Sequence, residues 1–392
     1  VFSTTGPDAA AYGEAQGYPV GLPLKRQQNL VGNYSNLDRL FPTHTVAAAA
    51  RPSPLARATQ ELSTAYTFHG QTYTLQDYLA RNPTTGLLIA RDDTILFEHY
   101  QYGRTDRDRF YSQSMAKTVT SMLIGIAISE GAIHSVDDLP QAYVPELTGT
   151  ELGRTPIRAL LHMASGIAFT QGHYDGTDDD QQLSHDLFMR GSPGPVAAVS
   201  RFDKRIAPPD TLWNYANLNP EVLALVLTRA THMTMAEYLQ SRIWQPMGAE
   251  SEAKWQIDRS GQEPGFCCFN ATLRDYARFA LVLAHDGAWN GRQIIPRQWL
   301  LDATEPVTEG AFLAVDKGKH PWGYGYQVWL MPAPRRTFVL EGIEGQRIFV
   351  DPQSRLVLVH TAVRLKATHD PGESELIALW RALLAQNPPS GH

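Results

Sequence analysis

Apolar residues alternate with two different periods along this chain. Two β-rich runs, Gly86–Ala90 and Ile95–Tyr102, flank the polar stretch "RDDT", which predicts a hairpin. A longer apolar run then predicts a helix from about Ser114 to Glu130, closed by Gly131 as its C-cap. Over roughly 135–255 the apolar residues recur at helical spacing. "TPIRALLHMASGI" forms a short amphipathic segment ending at Gly166, and "LNPEVLALVLTRATHM" and "TMAEYLQSRIWQPMG" two more. The strand pattern returns in "YGYQVWLMP", "RTFVLEGI", "QRIFVDP" and "RLVLVHTAV", and a closing helix is expected over about Ser374–Gln386. Strands, helices, then strands predict an α+β body whose sheet domain, 61–134 and 256–392, is split by a mainly helical domain, 135–255. Residues 1–60 show neither period and are expected to be an irregular extension.

Composition narrows the function classes. At 392 residues the chain exceeds one small core and suits one large or two intimate domains. A net charge of −6 argues against a nucleic-acid surface. No apolar run is long enough for a membrane span. The opening "VFSTTGPDAAAYGEAQGYPV" is small, polar and rich in Pro and Gly. It reads as a loosely held terminus of the kind left by a removed export signal, so a periplasmic or secreted location is expected, with a cytoplasmic one as the alternative. The two cysteines, Cys267 and Cys268, are neighbours. A bond between neighbours closes a strained ring, so two free thiols are expected. No Cys/His spacing suits zinc, and no metal or organic cofactor is expected.

The chemistry gathers where the long apolar run begins. Ser114 and Lys117 stand three apart at a predicted helix start and so share a face. A serine hydroxyl needs a base within reach, and a lysine serves only if burial or another cation lowers its pKa. The apolar surroundings in "MAKTVTSMLIGIAI" favour that. Ser114 also places its backbone N–H among the unpaired donors of a helix start, where it can hold an oxyanion. The bland alternative is a plain helix start with Ser112 as N-cap. Ser-x-x-Lys recurs at Ser251–Lys254, so a second element must discriminate. "WNYANLNP" supplies Tyr215, able to relay a proton to a leaving group, and Asn217, able to orient the lysine. "NYSN", with Tyr34 and Asn36, is a decoy for this element, because only Ser114/Lys117 followed by Tyr215/Asn217 has the helical insertion between.

These residues, with their surroundings, resemble the serine β-lactamase and penicillin-binding-protein superfamily. "SMAKTVTSMLIGIAISEGAIHSVDDLPQAYVPEL" is similar to its nucleophile helix and following D-x-x-x-x-Y-x-P-E stretch, "TPIRALLHMASGI" to its T-I-x-x-L-L-x-H-x-S-G-I segment, and "ATLRDYARFALVLAHDGAWNGRQIIP" and "FVDP" to later landmarks. The likeness spans roughly residues 60–370 and is strongest to family VIII esterases and 6-aminohexanoate-dimer (nylon-oligomer) hydrolases. It implies a β-lactamase-like fold with an antiparallel sheet flanked by helices. It makes Ser114 the nucleophile, Lys117 the base, Tyr215 the proton relay and Asn217 the orienting residue. In place of a Lys-Thr-Gly box stands "LEGIEGQRIFVDP". By that match the Ile343 N–H joins the Ser114 N–H as oxyanion donor, with Gly345 beside the substrate and Glu344 near the usual cationic position, where it repels a substrate carboxylate.

Cys268 falls where relatives have small residues at a pocket-bordering strand, and Phe169 where the nylon-oligomer branch has a substrate-touching tyrosine. Asp175, Asp178, Asp179 and Asp180 form an acidic loop, read as solvated, although in that branch a loop carboxylate can meet a substrate amine. Trp322, Tyr324, Tyr326 and Trp329 read as strand packing with one ring able to wall the pocket. His162 and Asp275 read as structural hydrogen-bonding residues. The reading is a serine hydrolase that cleaves small esters or linear amides through an acyl-enzyme. Its rivals are a weak β-lactamase or D-amino-acid peptidase, and a non-catalytic binding domain on the same scaffold.

Overall fold

A computed structural model describes residues 1–305 and 321–389. Its largest sheet has eight strands, in the spatial order Gly323–Tyr324, Trp329–Leu330, Phe338–Gly342, Gln346–Asp351, Leu356–Ala362, Thr84–Arg91, Thr94–Tyr100 and Ala56–Arg57. All neighbours are antiparallel except the last pair, where Ala56 and Arg57 run parallel to Thr94 and Ile95. The predicted hairpin is therefore present, and its first strand pairs with the last strand of the chain through Leu88↔Val359 and Ile89↔Leu358.

Both faces of this sheet are covered, which is why its strands read as apolar runs rather than as clean alternation. Leu88, Ile348, Val350, Val357 and Val359 share one core with Tyr276, Phe279 and Leu283 of helix Leu273–Ala284. Leu87, Ile89, Phe349, Leu356 and Leu358 share a second core with Leu376, Leu379, Trp380 and Leu383 of helix Pro371–Gln386. The period of two sends successive residues to opposite helices.

A four-stranded sheet, ordered Thr43–Val46, Ala253–Gln256, Phe269–Thr272 and Arg109–Tyr111, delivers the chain to the predicted nucleophile. A short 3-10 turn, Gln113–Met115, leads into helix Ala116–Ser129, after which Gly131 turns left-handed at φ +78°. Every residue of this helix from Ala116 to Ala127 is buried. A helix buried all round is a central one. Gly125 lets it approach the indole of Trp299, which a Cβ there would meet at 2.3 Å. The middle of the chain is helical as predicted, with Ile157–Leu161, Leu218–Thr231 and Met235–Leu239, the last continuing as a π-turn over Gln240–Trp244. The acidic stretch itself starts a helix at Asp179 that runs to Phe188.

The first sixty residues depart from the expectation. They are not loose. The terminal ammonium donates to the Glu98 carbonyl at 2.7 Å, Phe2 bridges Tyr100, and the helix Gln27–Ser35 is buried from Asn29 to Ser35. Its polar residues are satisfied internally: Asn33 donates to the carbonyls of Gly21 at 2.9 Å and Leu24 at 2.8 Å. Among the described residues no helix is long and apolar enough to cross a membrane.

Candidate active site

The strand Arg109–Tyr111 and the 3-10 turn place Ser114, half-buried, at the mouth of the nucleophile helix. Lys117, one helical turn on, is 1% exposed, and its Nζ lies 2.6 Å from Ser114 Oγ. The only other hydrogen-bond partner of Nζ among the described residues is the Phe266 carbonyl, at 3.4 Å. Burial pulls the lysine down to about 7, partly opposed by the charge of Asp180. Near neutral pH a large share of the amine is therefore uncharged and able to accept the serine proton.

Tyr215 completes the group. Lys117 Nζ stands 4.7 Å from its ring centre. Burial raises the phenol well above its usual range, a hydrogen bond with Ser114 acting the other way, so the hydroxyl keeps its proton. Trp329 stacks on the Tyr215 ring at 5.5 Å, Tyr324 meets it edge-on at 6.2 Å, and Trp213 lies at 6.3 Å. The aromatic group thus fixes the tyrosine rather than merely packing strands; Tyr326 lies apart, against His162 and Trp299.

Ser112 is spent structurally: its N–H donates to Phe269 O at 2.8 Å and its Oγ accepts from Phe269 N at 3.2 Å. The second Ser-x-x-Lys is not a pair, because Lys254 sits on a strand and reaches Thr45 Oγ1 and Glu252 instead. His162 bonds Asp210, and Asp275 takes the N–H groups of Glu250 and Ser251, both structural as expected.

Several expectations are corrected. Among the described residues Asn217 makes no hydrogen bond to Lys117; its Nδ2 donates to Asp180 Oδ1 at 2.6 Å, so it holds a carboxylate whose charge reaches the lysine. Phe169 is buried, its ring packed edge-on against Phe202 at 5.0 Å. Cys267 and Cys268 are joined as a disulfide, their Cα atoms 3.7 Å apart, with Cys268 left-handed at φ +75°. The left-handed turn brings the neighbouring side chains together, which the free-thiol expectation omitted. Cys268 is buried, its Sγ 3.4 Å from the Tyr111 hydroxyl, so it backs the site rather than facing a substrate.

Glu344 is buried rather than projecting at a substrate. It accepts from the Tyr34 hydroxyl and from Gln113 Nε2 at 3.2 Å, and its Oε1 pairs with Lys25 at 2.7 Å. A cation from the N-terminal segment thus neutralises the carboxylate of the third box. Ile343 opens the 3-10 turn Ile343–Gly345, and first-turn N–H groups lack intrahelical partners. Gly345 has φ +100° and a Cβ there would lie 2.8 Å from Ala362, so this tight bend requires glycine.

Of the acidic loop, Asp175 and Asp179 bond Thr177 and Thr170, and Asp178 bonds His173. Asp180 alone faces Asn217 and Lys117; burial raises its pKa, while the Asn217 hydrogen bond and the lysine charge lower it. Tyr174, on the same loop, is 47% exposed and feels the charges of Asp180 and Glu344. Sequence reasoning gave no role to Lys25, Gln113, Trp213 or the Phe266 carbonyl and took Tyr34 for a decoy, because their contacts are with residues far away in the chain.

Known proteins share the fold across most of the chain. The family model described as Beta-lactamase matches residues 72–379. A 6-aminohexanoate-dimer hydrolase of Paenarthrobacter ureafaciens is 25% identical over 385 residues, covering 94% of this chain and 93% of that protein. A solved structure from Bacillus anthracis, provisionally assigned as a 6-aminohexanoate-dimer hydrolase, superposes with TM-score 0.82 at 22% identity, covering 92% of this chain and 96% of that one. A family VIII carboxylesterase structure superposes with TM-score 0.58 at 16% identity, over 77% of this chain and 93% of that one.

Proposed function

The chain belongs to the beta-lactamase family, and from that premise we propose that it is a serine hydrolase in which Ser114, Lys117 and Tyr215 cleave small esters through a covalent acyl-enzyme. The observation that carries this reading is the pair itself: a buried amine whose pKa falls to about 7, 2.6 Å from a half-buried serine hydroxyl. Ser114 gives its proton to Lys117, and Oγ attacks the carbonyl carbon. The developing oxyanion is received by the N–H groups of Ser114 and Ile343. Tyr215, still protonated, donates to the leaving oxygen or nitrogen and is reprotonated from Lys117. Water then hydrolyses the acyl-enzyme by the same groups in reverse roles. Esters come first because their leaving groups need less protonation than amides.

One observation favours a second reading, a linear amide with a cationic end. Asp180 is held by Asn217 with its charge reaching Lys117, and Tyr174, on the same loop, feels that charge too. A substrate ammonium meets a carboxylate there without needing Phe169. One relative is named a 6-aminohexanoate-dimer hydrolase, and a 6-aminohexanoate unit carries an amine at one end. Lys25 offsets Glu344, so repulsion of a substrate carboxylate is weaker than the bare sequence implies, and slow β-lactam turnover stays within this reading.

Intact-protein mass after treatment with a fluorophosphonate, beside turnover of p-nitrophenyl butyrate, nitrocefin and the linear dimer, tests it. The expected result is one adduct, lost in Ser114→Ala together with about a thousandfold or more of ester turnover. An adduct that survives Ser114→Ala, or none in the native chain, would sink the assignment.

A further inference from the structure

The two backbones proposed to hold the oxyanion are each flanked by a residue in an unusual conformation. Gln113, just before Ser114, has φ +46°, and Glu344, just after Ile343, has φ +64°. Neither is glycine, and such conformations persist only where the surroundings over-determine them. Here each residue is held by the other. Gln113 Nε2 donates to Glu344 Oε2 at 3.2 Å and to the Tyr34 oxygen at 3.0 Å, and the Tyr34 hydroxyl donates to the same Oε2. Lys25 occupies Oε1. Tyr34, Gln113 and Glu344 are all buried, and Tyr111 packs edge-on against Tyr34 at 5.2 Å.

The backbones touch as well. A Cβ at Gly342 would lie 2.6 Å from Ser112 O and 2.7 Å from Gln113 Cβ. The Glu344 N–H donates to Ala367 O at 3.0 Å, and its carbonyl accepts from Arg364 N at 3.1 Å. A bare carboxylate beside an oxyanion site would oppose the charge that forms there. Two hydrogen-bond donors and one ammonium remove that objection while leaving the carboxylate as a geometric hub.

Building on the serine-hydrolase reading, we propose that Tyr34, Gln113, Glu344 and Lys25 form a clamp that sets the spacing between the Ser114 and Ile343 N–H groups. These are positioning residues: the clamp acts on the substrate only through those two donors. Oxyanion stabilisation depends on donors placed for the transition state, so a looser clamp costs turnover rather than substrate binding.

The test compares the native chain with Tyr34→Phe, Glu344→Gln and Lys25→Met, reading kcat and KM on p-nitrophenyl butyrate and affinity for phenylboronic acid, whose boronate mimics the oxyanion. Tyr34→Phe is expected to lower kcat and boronate affinity together by about tenfold or more, with KM little changed. Glu344→Gln has one acceptor oxygen for three donors, Tyr34, Gln113 and Lys25, and is expected to lower the same two readouts as Tyr34→Phe does. Lys25→Met, at a half-exposed position, is expected to show a smaller loss in the same two readouts. It carries the test alone should Tyr34→Phe fail to fold. Unchanged boronate affinity in the folded variants, or a rise confined to KM, overturns the clamp and leaves the hydrolase reading standing. A native chain inert to the fluorophosphonate overturns both.

Discussion

Lys117 is the residue on which the chemistry turns, and its burial sets two opposite signs. The folded pKa, about 7, lies below that of a lysine in the unfolded chain, and the neutral form is the base. Ester kcat/KM is therefore expected to rise with pH through about 7 and then level, read from a pH–rate profile. A profile flat from pH 5 to 9 would remove the lysine from the base role. Stability carries the cost. Below about 7 both states are protonated and the full penalty of a buried ammonium is present; between about 7 and the unfolded value only the unfolded chain holds the proton, so stability rises with pH. Lys117→Met is thus expected to raise Tm at pH 6, by an amount that shrinks toward pH 10, while abolishing turnover. A lower Tm at pH 6 would mean the Ser114 and Phe266 contacts outweigh the burial penalty. The contact of Ser114 with Lys117 was legible in sequence, because residues three apart at a helix start share a face. Asn217 was misassigned because its partner, Asp180, is placed by a distant turn. Tyr34 read as a decoy because nothing local ties it to Gln113.

At the scale of elements, legibility follows how local the cause is. The hairpin Thr84–Tyr100 and the helix ending near Gly131 rest on turn chemistry and periodicity within the segment, and both fall within a few residues of the reading. The helix Gln27–Ser35 gave no signal, because its buried face includes Asn29 and Asn33, whose amides are satisfied by carbonyls of the preceding loop. Burial that depends on hydrogen bonds does not appear in a hydrophobic pattern. The Phe269–Thr272 strand shows the same limit. Its approach, Gly265–Cys268, supplies a carbonyl to Lys117 and carries the disulfide, and Ser112 is stitched to Phe269. These links join segments far apart in the chain, so the adjacent cysteines taken alone pointed to thiols.

At the scale of the whole molecule, the N-terminal segment reaches the Ile343–Gly345 turn. It crosses from the Thr94–Tyr100 strand, through Tyr12 bonding Val363 O at 2.7 Å, to Tyr34 and Lys25 at Glu344. Gly32 is where it is most tightly seated: a Cβ there would lie 2.3 Å from Pro19 O and 2.4 Å from Tyr18 O, both backbone atoms. Gly32→Ala gains up to about 1 kcal/mol of helix propensity but forces a backbone shift costing about 1–3 kcal/mol, so the net effect is destabilising. The shift must move the helix or the loop that holds it, and with it Tyr34. Lower Tm, a fall in ester kcat with KM little changed, and faster amide exchange both in Gln27–Ser35 and in Ile343–Gly345 are the expected result. Exchange that quickens in the helix while the Ile343 turn and kcat stay native would show that the segment is only packed against the body. Coupled loss means that a stretch without periodicity completes a site whose reacting residues lie elsewhere in the chain.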